Sequence, residues 1–377
     1  MSILQNLAEG KLTTSSLVTI DSAIETFINE SSMPMDILIE SAYINIQTEL
    51  NRAYEVYEMA SIIGTAQVLQ EGTNVQEAAA AVMEGNIKDF FGKILEQLKK
   101  IRDWFIGIIK KIFGKLTGKD NAVENASISI NDAKKAMAQN PGRYKLTFEG
   151  YLYNPDGKKL YDNILSELDK KLDLCGNELT KAEQIVASGN YDEAVSKKGP
   201  MLVFSSKDGV AHEIGKSVGI TASTTHELAE AIIKGFGVDP DKKTECDITT
   251  SFVARLSKDL TDMTDIVIEK EKRISTVTKK VNDLVKRMEK IKNITEKGAI
   301  NSSSSKMLLM DCTSIVEYAQ NILQVELDVV NWAVQAILKL SKENQKVADI
   351  IKKTSNDDIA SMDSFDITQS YLGNFLV

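Results

Sequence analysis

Residues 86–118, NIKDFFGKILEQLKKIRDWFIGIIKKIFGKLTG, set the strongest constraint on how this chain folds. The apolar side chains run from Ile87, Phe90 and Phe91 through Trp104 and Phe105 to Ile112, Phe113 and Leu116, always at steps of 1 or 3 residues. Such steps lay them along one stripe of a helix with 3.6 residues per turn. Eight lysines and arginines lie off the stripe, against only Asp89, Glu96 and Asp103, so the stretch is net +5 in a chain of net −9. A basic, aromatic-rich amphipathic helix is the form that lies in a membrane interface or docks into an apolar groove of a partner. On that reading Phe90, Phe91, Trp104, Phe105 and Phe113 are apolar anchors, and Lys99, Lys100, Lys110 and Lys111 meet an anionic surface or a partner. The plain alternative is a core helix. A spanning helix is not expected, because Lys99, Lys100, Arg102 and Asp103 would each cost roughly 2.5–3.5 kcal/mol at mid-bilayer. Gly92, Gly107 and Gly114 weaken the helix by about 1 kcal/mol each relative to Ala, and read as flex points or close-packing sites.

The remainder predicts a mainly α fold. The chain has 377 residues but only 5 prolines, and Leu, Ile, Lys, Glu and Ala are plentiful. Net charge −9 argues against nucleic-acid binding through the global field, so no specific nucleic-acid partner is expected. Cys175, Cys246 and Cys312 are odd in number and widely spaced, which gives neither a disulfide framework nor a zinc pattern and favours a reducing compartment. MSILQNLAEGKL lacks the basic and apolar regions of a secretory signal, and no segment reaches 18 uncharged apolar residues.

Along the chain, residues 1–85 read as a helical leader region, with Gly64 and Gly72 as breaks and an Ala-rich helix before Gly85. Residues 86–118 are the basic amphipathic helix. Residues 119–250 read as a small α+β domain. In it Tyr144–Tyr153 alternates like strands, Asn154-Pro155-Asp156-Gly157 reads as a turn, and helices follow at 158–174 and 178–188. Met201–Phe204 reads as a short strand before a turn at Lys207-Asp208-Gly209, and a further helix spans 224–235. Residues 251–353 predict a long antiparallel helical hairpin. Its first arm carries a coiled-coil-like seam from Phe252 to Ile291 with one position missing at Lys270. Its second arm is apolar on a wide face, as in a helix buried among several others. Asn301–Ser305 reads as the turn between them, and 354–377 as a tail.

Catalytic signals are weak. His226 is followed at i+4 by Glu230 where a zinc-protease helix needs a second His. Gly215-Lys216-Ser217 has the wrong upstream glycine spacing for a phosphate loop. There is no Gly-x-Ser-x-Gly elbow and no Cys/His dyad, so no catalytic residue, metal or cofactor is predicted, and a non-enzyme is expected.

Over roughly residues 25–118 the layout resembles internal and structural virion proteins of large tailed bacteriophages. A Glu-rich helical leader (FINESSMPMDILIESAYINIQTELNRAYEVYEMA) runs through Met83-Glu84-Gly85 into the amphipathic helix. The resemblance implies a non-enzymatic virion protein, made in the host cytoplasm and carried in or on the particle. It implies contact with other virion proteins or copies of itself, and an amphipathic helix that meets an anionic membrane or a particle partner. It also implies trimming by a prohead protease after a Glu in a hydrophobic-x-Glu context, which Glu71 and Glu84 would supply. The alternative function is an α-helical pore-forming or membrane-remodelling protein.

Overall fold

The structure, a computed structural model, describes residue 48 and residues 75–117, 121–139, 144–189, 205–296 and 302–356. The expected leader helices before residue 75, Glu71, the strand at Met201–Phe204 and the tail after residue 356 lie outside the described residues. Within them are seven helices and two short strands. They are α1 (Val75–Thr117), α2 (Ala122–Gln139), β1 (Thr147–Gly150), α3 (Pro155–Ala187), α4 (Lys207–Val218), α5 (Thr225–Gly235), β2 (Thr244–Asp247), α6 (Thr250–Thr295) and α7 (Ser302–Asn356). The fold is mainly α with a small α+β part.

The longest helix, α7, sits in the middle. Its 55 residues span about 80 Å at 1.5 Å per residue. It packs against α1, α2, α3, α4 and α5. Leu308, Leu309, Ile315, Val316, Ile322, Leu323, Val330 and Ile337 are all fully buried, so the wide apolar face read from the sequence is a central helix enclosed by its neighbours. The core residues of these elements form one continuous cluster, so the described residues of 119–250 share the core of the long helices.

Cross-helix pairs fix the directions. Arg273 of α6 meets Glu326 of α7 at similar distances from their 295/302 ends, so these two arms are antiparallel. They touch each other sparingly, because α6 leans mainly on α3 and α1. Lys158–Glu269, Lys280–Asp173 and Lys290–Glu183 ascend both chains together, so α3 runs parallel to α6. Arg102 of α1 donates to Asn282 of α6 at 2.8 Å, and residues near Gly92 lie beside Asn293, so α1 is antiparallel to α6. Parallel neighbours need a long crossover, and residues 188–249, with α4, α5 and β2, supply it between α3 and α6.

β1 and β2 pair antiparallel in the register Phe148↔Cys246, and Phe148 meets Phe252 at the start of α6, so the ribbon closes one end of the bundle. Several local expectations are corrected. Asn154-Pro155-Asp156-Gly157 is a helix start: Asn154 is the N-cap, its side chain accepts from the Asp156 N–H, and Pro155 occupies the first turn. The segments 158–174 and 178–188 are one helix, α3, because Gly176 is buried against Leu284 and Arg287 and does not break it. Lys207-Asp208-Gly209 opens α4 behind the N-cap Ser206. Ser302–Ser305 belong to the first turns of α7.

Candidate functional site

The amphipathic helix exists and is longer than the stripe, starting at Val75. Its apolar stripe faces inward. Phe91 and Phe105 are 0% exposed, Phe113 1%, Phe90 2% and Trp104 6%. The five residues expected as anchors thus pack in the core against α6 and α7. Offering them to lipid would require α1 to leave the bundle, at about 10 kcal/mol for five large side chains at roughly 2 kcal/mol each. The polar side points outward. Lys99 and Lys110 are exposed, while Lys100 and Lys111 are half-buried. Lys100 pairs with Glu96 at 3.4 Å, and burial lowers the pKa of Lys111. Gly92, Gly107 and Gly114 also face open space: a Cβ at any of them would meet nothing within 4 Å. Glu84 lies within α1, so a protease would need that turn unwound. No helix among the described residues is long and apolar enough to cross a membrane.

Where α1 lies beside α6, Gly92, Leu95, Glu96, Lys99, Glu289, Lys292 and Asn293 line an open depression of about 440 Å³. Its lining is mostly charged, with carboxylates and ammonium groups interleaved, and it offers no enclosed apolar slot.

Two polar clusters among the described residues join helices, the first buried and the second half-buried. In the first, Arg273 donates from Nε to Glu326 Oε1, from Nη2 to Glu326 Oε2 at 2.6 Å, and from Nη1 to Asp169 Oδ2 at 2.6 Å. Burial alone would lower the pKa of Arg273, and the carboxylates of Glu326 and Asp169 outweigh it and hold the guanidinium charged. This triad ties α3, α6 and α7 together. Sequence reasoning missed it: Arg273 lies off the apolar seam of α6, the gap at Lys270 holds a lysine paired with Glu271, and Glu326 meets Arg273 from inside the wide apolar face of α7.

In the second cluster Glu213 of α4 accepts from Ser205 Oγ and from Lys171 Nζ of α3, and Lys171 also reaches Tyr318 Oη of α7 at 3.3 Å. Burial would raise the pKa of Glu213, but the hydrogen bonds from Lys171 and Ser205 bring it below the ordinary range. A carboxylate so satisfied is a poor base for Ser205. The cluster fastens α4 to α3 and α7.

The histidines have local partners. His212 Nδ1 lies 2.9 Å from Ala222 O, and His226 pairs with Glu230 at 3.4 Å and sits edge-on to Trp332. No group of three metal-binding side chains occurs among the described residues. Gly215-Lys216-Ser217 lies in the last turns of α4, whereas a phosphate loop uses free N–H groups at a helix start. No known protein family, curated protein or solved structure matches this chain.

Proposed function

We propose that this chain is a non-enzymatic structural or internal protein of a tailed-phage particle, carried in or on the virion after synthesis in the host cytoplasm. The observation that supports the reading best is a single apolar core threaded by a central helix of 55 residues, with Arg273 joining three helices through Glu326 and Asp169. Such a body serves as a rigid element that other proteins pack against. The contact belongs to the outer face of α1, where exposed Lys99 and Lys110 stand beside Gly107 and Gly114, which let a partner approach the backbone closely.

Particle association tests this reading. Particles from the native source are banded on a density gradient, and the intact mass of this polypeptide is measured in each fraction. A chain that cosediments with particles supports the proposal, either full-length or shortened after Glu71 or Glu84. A chain found only outside particles overturns it, and vesicle leakage by that free chain would move the assignment to a pore-forming or membrane-remodelling protein.

A further inference from the structure

The two most basic stretches of this acidic chain lie side by side. Residues 86–118 are net +5, and residues 270–295 of α6 carry nine basic residues against three acidic, net +6, while the whole chain is −9. Arg102–Asn282 and the shared depression at Gly92 and Asn293 bring these stretches together as antiparallel neighbours. Within α6 the basic residues divide into two sets. Arg273, Lys280 and Arg287 turn toward α3 and are bonded to Asp169, Asp173 and Thr180. Lys272, Lys279, Lys286 and Lys290, at steps of 7, 7 and 4, form an exposed row on the neighbouring outward strip of α6, with Lys290 reaching back to Glu183 of α3. Among the described residues Lys272 and Lys279 make no ion pair, Lys286 pairs loosely with Asp283 within the row at 3.9 Å, and Lys290 pairs with Glu183 of α3 at 3.6 Å.

We propose that this lysine ridge, flanked by Lys99 and Lys110 of α1, is a docking surface for the sugar–phosphate backbone of double-stranded nucleic acid. The row runs about 27 Å, with successive lysines about 10, 10 and 6 Å apart at 1.5 Å per residue. That is a little less than one duplex turn of about 34 Å. Lysine ammonium groups are point charges that neutralise phosphate without reading bases, so the binding is independent of sequence. The chain's net negative charge governs the far field. Within a Debye length of about 8 Å at physiological salt, the ridge governs instead.

Shape decides between a duplex and an anionic membrane. On one side of the ridge α3 presents Asp173 and Glu183, and on the other lies Glu289. A plane broad enough to rest on all three helices meets these carboxylates, whereas a rod laid along α6 meets mainly the lysines. The aromatic side chains of α1 that would enter lipid are buried. The proposal does not rest on the particle reading, since a free protein could carry the same ridge.

The test is fluorescence anisotropy of the full chain with a labelled 24-base-pair duplex of random sequence. Binding is expected at low salt, falling roughly 100-fold between 50 and 200 mM salt if four phosphates are neutralised. Changing Lys272, Lys279, Lys286 and Lys290 together to Glu is expected to weaken binding by about tenfold or more. Changing the exposed Lys135, Lys216, Lys242 and Lys243 to Glu alters the net charge equally and is expected to leave most of the binding. If the first set unfolds the protein, the same four positions changed to Gln replace it. Equal loss in both sets, no binding at 50 mM salt, or binding to phosphatidylglycerol vesicles without binding to the duplex would each overturn the proposal.

Discussion

Arg273 of α6 grips both carboxylate oxygens of Glu326 of α7, and the carboxylate it holds is 0% exposed. Removing one partner leaves the other charge stranded in the core. Arg273→Met is expected to cost about 3–5 kcal/mol, and Arg273→Met with Glu326→Leu far less than the sum of the single changes. Urea unfolding of the single and double variants checks this. Additive losses would mean that the pair acts as two independent contacts.

How much of this was legible in the sequence follows from the kind of signal. Periodicity gave the long helices, because Phe252, Leu256, Leu260 and Met263 repeat at helical spacing and are buried. It could not say what faced them: the stripe of 86–118 fits lipid, a groove or a core equally well, and only the placement of α6 and α7 turned Trp104 inward. The Arg273–Glu326 pair was not visible, since a partner 53 residues away leaves no local pattern. β2 went unread because Lys243-Thr244-Glu245-Cys246-Asp247 has no apolar alternation, and its place comes from pairing with β1. At Asn154 the same residues that favour a turn also cap a helix, and a buried face on the following residues decided for the helix.

Stability should fall as Asp259 ionises. Burial pushes its carboxyl up to about 6 from 3.8, with Arg255 partly opposing and Asp262 adding to the rise. The folded state therefore holds this proton more tightly than the unfolded chain. The contribution is fully present below the unfolded value and is lost as pH rises through about 6. Asp259→Asn is expected to be more stable than the parent by about 1–2 kcal/mol near pH 7.5, with the gap closing toward pH 4. Urea midpoints across that range measure it, and a gap that does not change with pH would assign the rise to the wrong group.

The glycines of α1 separate folding from docking. Gly107→Ala and Gly114→Ala meet open space and are each expected to stabilise the protein by about 0.5–1 kcal/mol. If the outer face of α1 is a close-packed contact with a particle partner, the same changes reduce cosedimentation while raising the melting temperature. Gly157→Ala behaves oppositely, because its Cβ would run into the Gly235–Phe236 backbone, and it should destabilise. Thermal melts of the three variants, with gradient profiles for the first two, check the contrast. Retention of Gly107→Ala and Gly114→Ala in particles would remove the close-packing role.

The central claim is that the aromatic face of α1 is core. Trp332→Phe leaves Trp104 as the one tryptophan, so its emission reports that face alone. Iodide quenching of this variant, with and without phosphatidylglycerol-rich vesicles, is the most direct test. The account predicts blue-shifted emission that iodide barely quenches, unchanged by vesicles. Ready quenching in the free protein, or an emission shift when vesicles are added, would show that α1 presents Trp104 outward and would contradict it.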